Sequence, residues 1–189
     1  MRGWLPVLLL CAAVTTAAHA AAPNEPDPAL RAALVAAVNA SDSFDNRYAA
    51  EVWLLDMSTR LAPLLDSPQK RLTLLRTVHR EATRAGLRPE LVLALIQVES
   101  RFARYAISPA GARGLMQVMP FWKKEIGRPQ DNLFDVQTNL RYGCTILRYY
   151  LDQSGGNVTQ ALARYNGSFG KYWYPARVHA ALSQRWYRR

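Results

Sequence analysis

The stretch PELVLALIQVES, residues 89–100, constrains this chain more than any other. Leu91, Val92, Leu95, Ile96 and Val98 would cover most of a helix's circumference, and a helix that is apolar nearly all round must be enclosed by other elements. Pro89 suits the first helical position and Glu90 suits the first turn. The rest of the fold is therefore expected to wrap around this segment. It ends on a carboxylate, Glu99, carried to the tip of a buried helix.

The surrounding sequence reads as helix almost throughout, with hardly any strand alternation. Helices are expected over 29–38, 46–65 and 68–85. The third of these places Leu72, Leu75, Val78 and Ala82 on one face and has Gly86 as its stop. Further helices are expected over 120–126, ended by Gly127, over 135–152, and from a capping-box-like Asn157/Gln160 pair to about Tyr165. Residues 174–188 read as a basic amphipathic helix and 108–114 as a loop. An all-α fold follows. With 189 residues, half of them hydrophobic, the chain can form one compact domain with a small extension.

Residues 1–20 have the form of a secretory signal: Arg2, an apolar run from Trp4 to Val14, and Ala18-His19-Ala20 as a small-x-small cleavage site. The run is shorter than the ~20 residues of a membrane span. The mature protein is accordingly expected to be periplasmic, with no integral membrane segment. Cleavage would leave Cys144 as the one cysteine, so no intramolecular disulfide is expected, and Cys144 reads as a buried small apolar residue.

Charge divides the chain. Residues 23–86 carry 8 basic and 8 acidic side chains, whereas residues 87–189 carry 15 and 6. The excess of nine positive charges favours an anionic polymer as partner. Nucleic acid is one such polymer. However, the basic residues are scattered over several helices with no reading-helix pattern, and export favours the carboxylate-bearing bacterial cell wall.

The chemistry centres on Glu99. The negative end of the helix dipole and apolar neighbours both raise a carboxyl pKa, which suits a group that must deliver a proton near neutral pH. Glycosidases ordinarily use two carboxylates. Here Glu90 sits about three turns, roughly 15 Å, from Glu99 on the same helix. Glu125, Asp131, Asp135 and Asp152 look like helix-end or turn residues. A glycosidase built on Glu99 would then stabilise its cation without an enzyme nucleophile, for example through a substrate N-acetyl carbonyl. His79 and His179 have no ligand spacing, no Ser-His-Asp or Cys-His arrangement appears, and no phosphate-binding glycine loop is present. No metal and no cofactor are expected.

Five motifs in order carry a family resemblance: Glu99-Ser100-Arg101-Phe102, Ser108-Pro109-Ala110-Gly111-Ala112, Gly114 to Pro120 (GLMQVMP), Asn132-Leu133-Phe134-Asp135 with Asn139-Leu140-Arg141-Tyr142-Gly143, and Ala163-Arg164-Tyr165-Asn166-Gly167. Over about residues 87–178 the sequence resembles the soluble lytic transglycosylase (SLT) domain, related to goose-type lysozymes. The resemblance implies a lysozyme-like helical domain with amino-terminal accessory helices. It also implies cleavage of the β-1,4 bond between N-acetylmuramic acid and N-acetylglucosamine in peptidoglycan glycan strands. A single Glu would protonate the leaving oxygen and then accept the proton of the muramic 6-hydroxyl, giving a 1,6-anhydro product.

Carried over by position, Glu99 is the acid/base, and Ser100, Met116, Gln117, Tyr165 and Asn166 are substrate-binding residues. Arg164 stands where the family often has alanine. The expected organisation is a signal at 1–20, a helical extension at 23–86 and the catalytic domain at 87–189. A hydrolytic muramidase of the same fold remains open. So does a non-catalytic wall-binding scaffold serving cell-envelope machinery, against which the retention of Glu99 argues.

Overall fold

The computed structural model describes residues 32, 35, 37–39 and 42–187. The expected signal at 1–20 lies outside the described residues, as does most of the segment read as a helix over 29–38. The described part of that segment, residues 32, 35 and 37–39, is helical. Seven α-helices follow among the described residues: α1 (Arg47–Leu61), α2 (Pro68–Arg84), α3 (Pro89–Ser100), α4 (Trp122–Ile126), α5 (Val136–Gln153), α6 (Val158–Tyr165) and α7 (Trp173–Ala181). A π-helical turn, Leu182–Trp186, completes the order. The all-α class expected from the sequence is what these residues adopt. Their only β pairing is two isolated bridges, Ile107 to Arg113 and Arg113 to Val118.

Helix starts follow local chemistry. The side chains of Asn46, Ser67, Asp135 and Asn157 accept from the backbone N–H three residues on, at the heads of α1, α2, α5 and α6. Asn157 caps α6 through the Gln160 N–H at 3.0 Å, as its sequence position suggested. Three helices differ from their sequence limits, the first being α1, which stops at Leu61 where the sequence reading runs to 65. The segment expected as a helix from Pro120 begins with tight i→i+3 bonds and yields only the five residues of α4. The last helix stops at Ala181 and widens into the π turn, which inserts Trp186 into the core at 0% exposure. That turn is held by reciprocal bonds, Arg60 Nη1 to the Arg185 carbonyl at 2.7 Å and Arg185 Nη1 to the Arg60 carbonyl at 2.9 Å.

The apolar α3 is the axis of the molecule. Val92 through Ile96 are all fully buried, and α2, α7 and the π turn pack against it. Trp186 lies against Phe102, ring centroids 5.7 Å apart, and its indole donates to Gln97 Oε1 at 2.9 Å. On the opposite end of α3, the Trp53 indole of α1 donates to Glu90 Oε1, also at 2.9 Å. Buried residues of α1 and α2 therefore belong to the same core as those of α3, α5, α6 and α7. Cys144 sits in that core, where burial pushes its thiol up to about 12. No described helix is long and apolar enough to cross a membrane.

Candidate active site

Glu99 occupies the last turn of α3. The helix ends abruptly because Arg101 and Phe102 take left-handed conformations, φ 50° and 66°. This turns the chain away and leaves Glu99 facing the junction of α6, α7 and the 114–117 turn. The Tyr174 hydroxyl, at the start of α7, donates to Glu99 Oε1. Burial raises the Glu99 carboxyl to about 7, partly offset by the Tyr174 bond and the Arg177 charge. Among the described residues, no carboxylate is one of the groups that perturb it.

The Gly114–Gln117 turn is pinned from three directions. Ser100 Oγ, at the end of α3, is hydrogen-bonded to the Leu115 carbonyl at 2.8 Å and to Ile96 O at 3.2 Å. Asn139 of α5, only 1% exposed, accepts from the Met116 N–H at 2.8 Å and donates to the carbonyls of Arg113 (2.9 Å) and Leu133 (2.8 Å). Tyr165, at the end of α6, donates its hydroxyl to the Met116 carbonyl at 2.8 Å. Two glycines make this approach possible. A Cβ on Gly114 (φ 75°) would fall 2.5 Å from Leu133 O and from Asn139 Nδ2, and one on Gly143 would fall 2.3 Å from Met116 Sδ.

The six residues expected at the site are thus used in different ways. Glu99 and Tyr165 lie within each other's electrostatic reach: the Glu99 charge, second to burial, pushes the Tyr165 phenol well above its ordinary value. Ser100 is buried, and its hydroxyl braces the turn from inside the protein. The Met116 side chain corrects the sequence reading. It is 0% exposed and packs on Gly143 instead of lining a cleft, because the missing side chain at 143 opens a slot for the thioether. Gln117 is half-buried in a left-handed conformation (φ 49°), donating to the carbonyls of Gly114 (2.9 Å) and Ala106 (3.2 Å). Asn166 caps α6 and is exposed.

Two residues that shape this junction, Tyr174 and Asn139, are not singled out as site residues by the sequence. Tyr174 was absorbed into an amphipathic helix pattern, with nothing to set it apart from the other tyrosines. Asn139 offered a usable signal, a polar residue on the apolar stripe of α5. A recess of about 580 Å³ between α2, the start of α5 and Phe102, Arg104, Tyr105 and Leu115 contains none of the six residues.

The model of the transglycosylase SLT domain matches residues 76–184. The chain belongs to this family. Over 108 residues it is 33% identical to a transglycosylase of Enterobacteria phage PRD1, covering 54% of this chain and 40% of the phage protein. Over 109 residues it is 33% identical to membrane-bound lytic murein transglycosylase C of Yersinia pestis, covering 49% of this chain and 30% of that protein. The chain thus spans less than half the length of these relatives. Among solved structures, an inactive mutant of the lytic transglycosylase Slt from Pseudomonas aeruginosa aligns at 25% identity with a TM-score of 0.46, covering 84% of this chain and 31% of that one. The 70 kDa soluble lytic transglycosylase of Escherichia coli aligns at 22% identity with a TM-score of 0.40, covering 86% and 31%.

Proposed function

We propose that this SLT-domain protein is a periplasmic peptidoglycan lytic transglycosylase in which Glu99 is both the acid and the base. One observation carries the reading. Glu99 is a largely buried carboxyl whose pKa is raised to about 7 and on which, among the described residues, no second carboxylate acts. A group half-protonated near neutrality can give a proton in one step and take one in the next. With no nucleophilic partner at hand, the two-carboxylate schemes lack a component.

In the proposed reaction, protonated Glu99 transfers its proton to the glycosidic oxygen as the bond from C1 of N-acetylmuramic acid breaks. The leaving N-acetylglucosamine departs as an alcohol. The cation at C1 is stabilised by the substrate's own acetamido carbonyl. The muramic 6-hydroxyl then attacks C1 and passes its proton to the Glu99 carboxylate, which restores the acid. No water is consumed. Tyr174 holds Oε1 of Glu99 and fixes the direction of transfer. Tyr165, Ser100 and Asn139 hold the 114–117 turn in register with α3. Gln117 and Asn166 are the amides proposed to meet the sugar, and α1 and α2 support the catalytic part by sharing its core.

The deciding experiment is mass spectrometry of products from purified sacculi. Anhydro ends, one water lighter than hydrolytic ends, are expected from the wild type and absent with Glu99→Gln. Hydrated reducing ends would make the protein a muramidase. No release by the wild type would remove the enzymatic reading and leave a wall-binding scaffold.

A further inference from the structure

The excess of positive charge is purest at the end of the chain: after Asp152 the sequence has six lysines and arginines and no acidic residue. Helix α7 carries one of these cations to the catalytic junction. Tyr174, in its first turn, is buried and donates its hydroxyl to Glu99 Oε1. Round the helix from Tyr174, Arg177 lies at about 60° and Trp173 at about 100° in the same sense. Both are exposed, Trp173 to 52%. The Trp173 ring stands edge-on to the Tyr174 ring, centroids 5.9 Å apart. One ring therefore separates an exposed indole from the residue bonded to Glu99. The far side of α7 is fixed to α6, with His179 Nε2 3.0 Å from the Thr159 hydroxyl, so the helix presents Trp173 and Arg177 from a braced support.

Arg177 forms no hydrogen bond or ion pair with a described residue. Arg84 and Arg141, by contrast, both bond to Glu81. The charge of Arg177 is felt at Glu99, but a Glu99 that is protonated and ready to act offers it no counter-charge. We propose that Trp173 and Arg177 form the receptor for the carboxylate-bearing muramic unit at the scissile bond, the indole stacking on the sugar ring and the guanidinium pairing with a carboxylate carried on it. The inference rests on the transglycosylase reading. A carboxylate attached through the muramic O3 is what separates a wall strand from a neutral polymer of N-acetylglucosamine. It belongs to the stem peptide where that is present and to the lactyl group where the peptide has been removed. A guanidinium suits either, because its planar N–H fork matches both carboxylate oxygens. Glu99 would then supply the chemistry, and α7 the preference for the charged polymer.

The test measures binding by calorimetry with the full chain in a Glu99→Gln background. The ligand then survives, and Arg177 cannot act by shifting the titration of Glu99. Three ligands are compared: a peptide-bearing wall tetrasaccharide, the same tetrasaccharide stripped of peptide, and chitotetraose, which has no carboxylate. Arg177→Gln is expected to weaken the peptide-bearing ligand about tenfold and chitotetraose by about twofold or less. A loss shared by the stripped tetrasaccharide assigns the lactyl carboxylate, and a loss confined to the peptide-bearing one assigns the stem peptide. Trp173→Ala is expected to weaken all three about tenfold, with Trp173→Phe restoring most of the affinity. An Arg177→Gln protein that binds all three as before, or loses all three equally, would overturn the carboxylate receptor. Undiminished binding by Trp173→Ala would overturn the stacking. Failure of the protein with Glu99 intact to release muropeptides from sacculi would remove the transglycosylase reading, an outcome separate from any of these.

Discussion

Glu81 and Glu99 lie on successive helices and both lose water on folding, yet they end with opposite proton affinities. Glu81 is 0% exposed at the α2–α5 contact. Three arginines surround it: Arg84 Nε at 2.8 Å, Arg141 Nη2 at 3.2 Å and Arg80 Nε at 3.7 Å. Burial alone would raise its pKa. The hydrogen bonds and charges of Arg141 and Arg84 outweigh that, and the carboxyl is held below its ordinary value. Glu99 receives one neutral hydroxyl, from Tyr174, and the charge of Arg177, and burial wins. Desolvation sets the common starting point, and the number of cations in contact decides its outcome. The first site fixes a charge that joins two helices; the second holds a carboxyl that titrates near neutrality.

The comparison breaks most directly at Glu99. Glu99→Gln is expected to lower anhydro-muropeptide release by about 10³-fold or more, within the range of a lost general acid/base, while circular dichroism stays that of the wild type. Quantifying released muropeptides checks it, and a residual rate near the wild type would mean that Glu99 is not the proton donor.

Glu81→Gln comes next, and it should touch stability alone. Removing one partner of a buried ion pair costs ~3–5 kcal/mol. The arginines here are 36–54% exposed at the side chain and can turn to water, so a loss of about 2 kcal/mol is expected from urea midpoints. Because the folded pKa of Glu81 is depressed, its stabilisation is present above the ordinary carboxylate value of 4.5 and is lost as pH falls through the folded value. The difference between wild type and variant should therefore shrink in acid. The pH profile of turnover should not move.

Tyr174→Phe sharpens the other side. Its hydroxyl lowers the Glu99 pKa, so its removal should raise that pKa further. Activity is expected to decline above about pH 7 in the wild type and from a higher pH in the variant. Peak turnover should fall about tenfold as the carboxyl loses its orienting partner. A pH–rate profile reports both effects, and an unmoved alkaline limb would remove Tyr174 from the proton's control.

The sequence makes one of these carboxylates easier to see than the other. Glu99 stands out because it ends an apolar helix, and the same apolar helix announces that the fold closes around it. The helix caps at Asn46, Ser67, Asp135 and Asn157 are local and equally legible. Tyr174 is not, since its relation to Glu99 spans 75 residues and depends on how α7 docks on α3. The burial of Met116 is also tertiary: it needs Gly143 to face it across two elements. The arginine cage of Glu81 likewise joins residues 60 positions apart, and a glutamate in a charged helix looks solvated until α5 covers it.

The smallest expected effect is the cost that Glu99 imposes on the fold itself. Its folded pKa of about 7 lies above the ordinary 4.5, so between those values the folded state holds a proton that the unfolded state has released. Stability contributed by that proton is complete below about pH 4.5 and is lost as pH rises through 7. A difference of this size corresponds to at most about 3 kcal/mol, and the partial exposure of Glu99 reduces it to roughly 1–2 kcal/mol. Glu99→Gln removes the titration, so the variant should be more stable than the wild type at pH 8 by that amount and nearly equal to it at pH 4. This is the reverse of what Glu81→Gln does. Urea melts of both variants at the two pH values would separate a carboxylate that holds the fold together from one that the fold tolerates for chemistry.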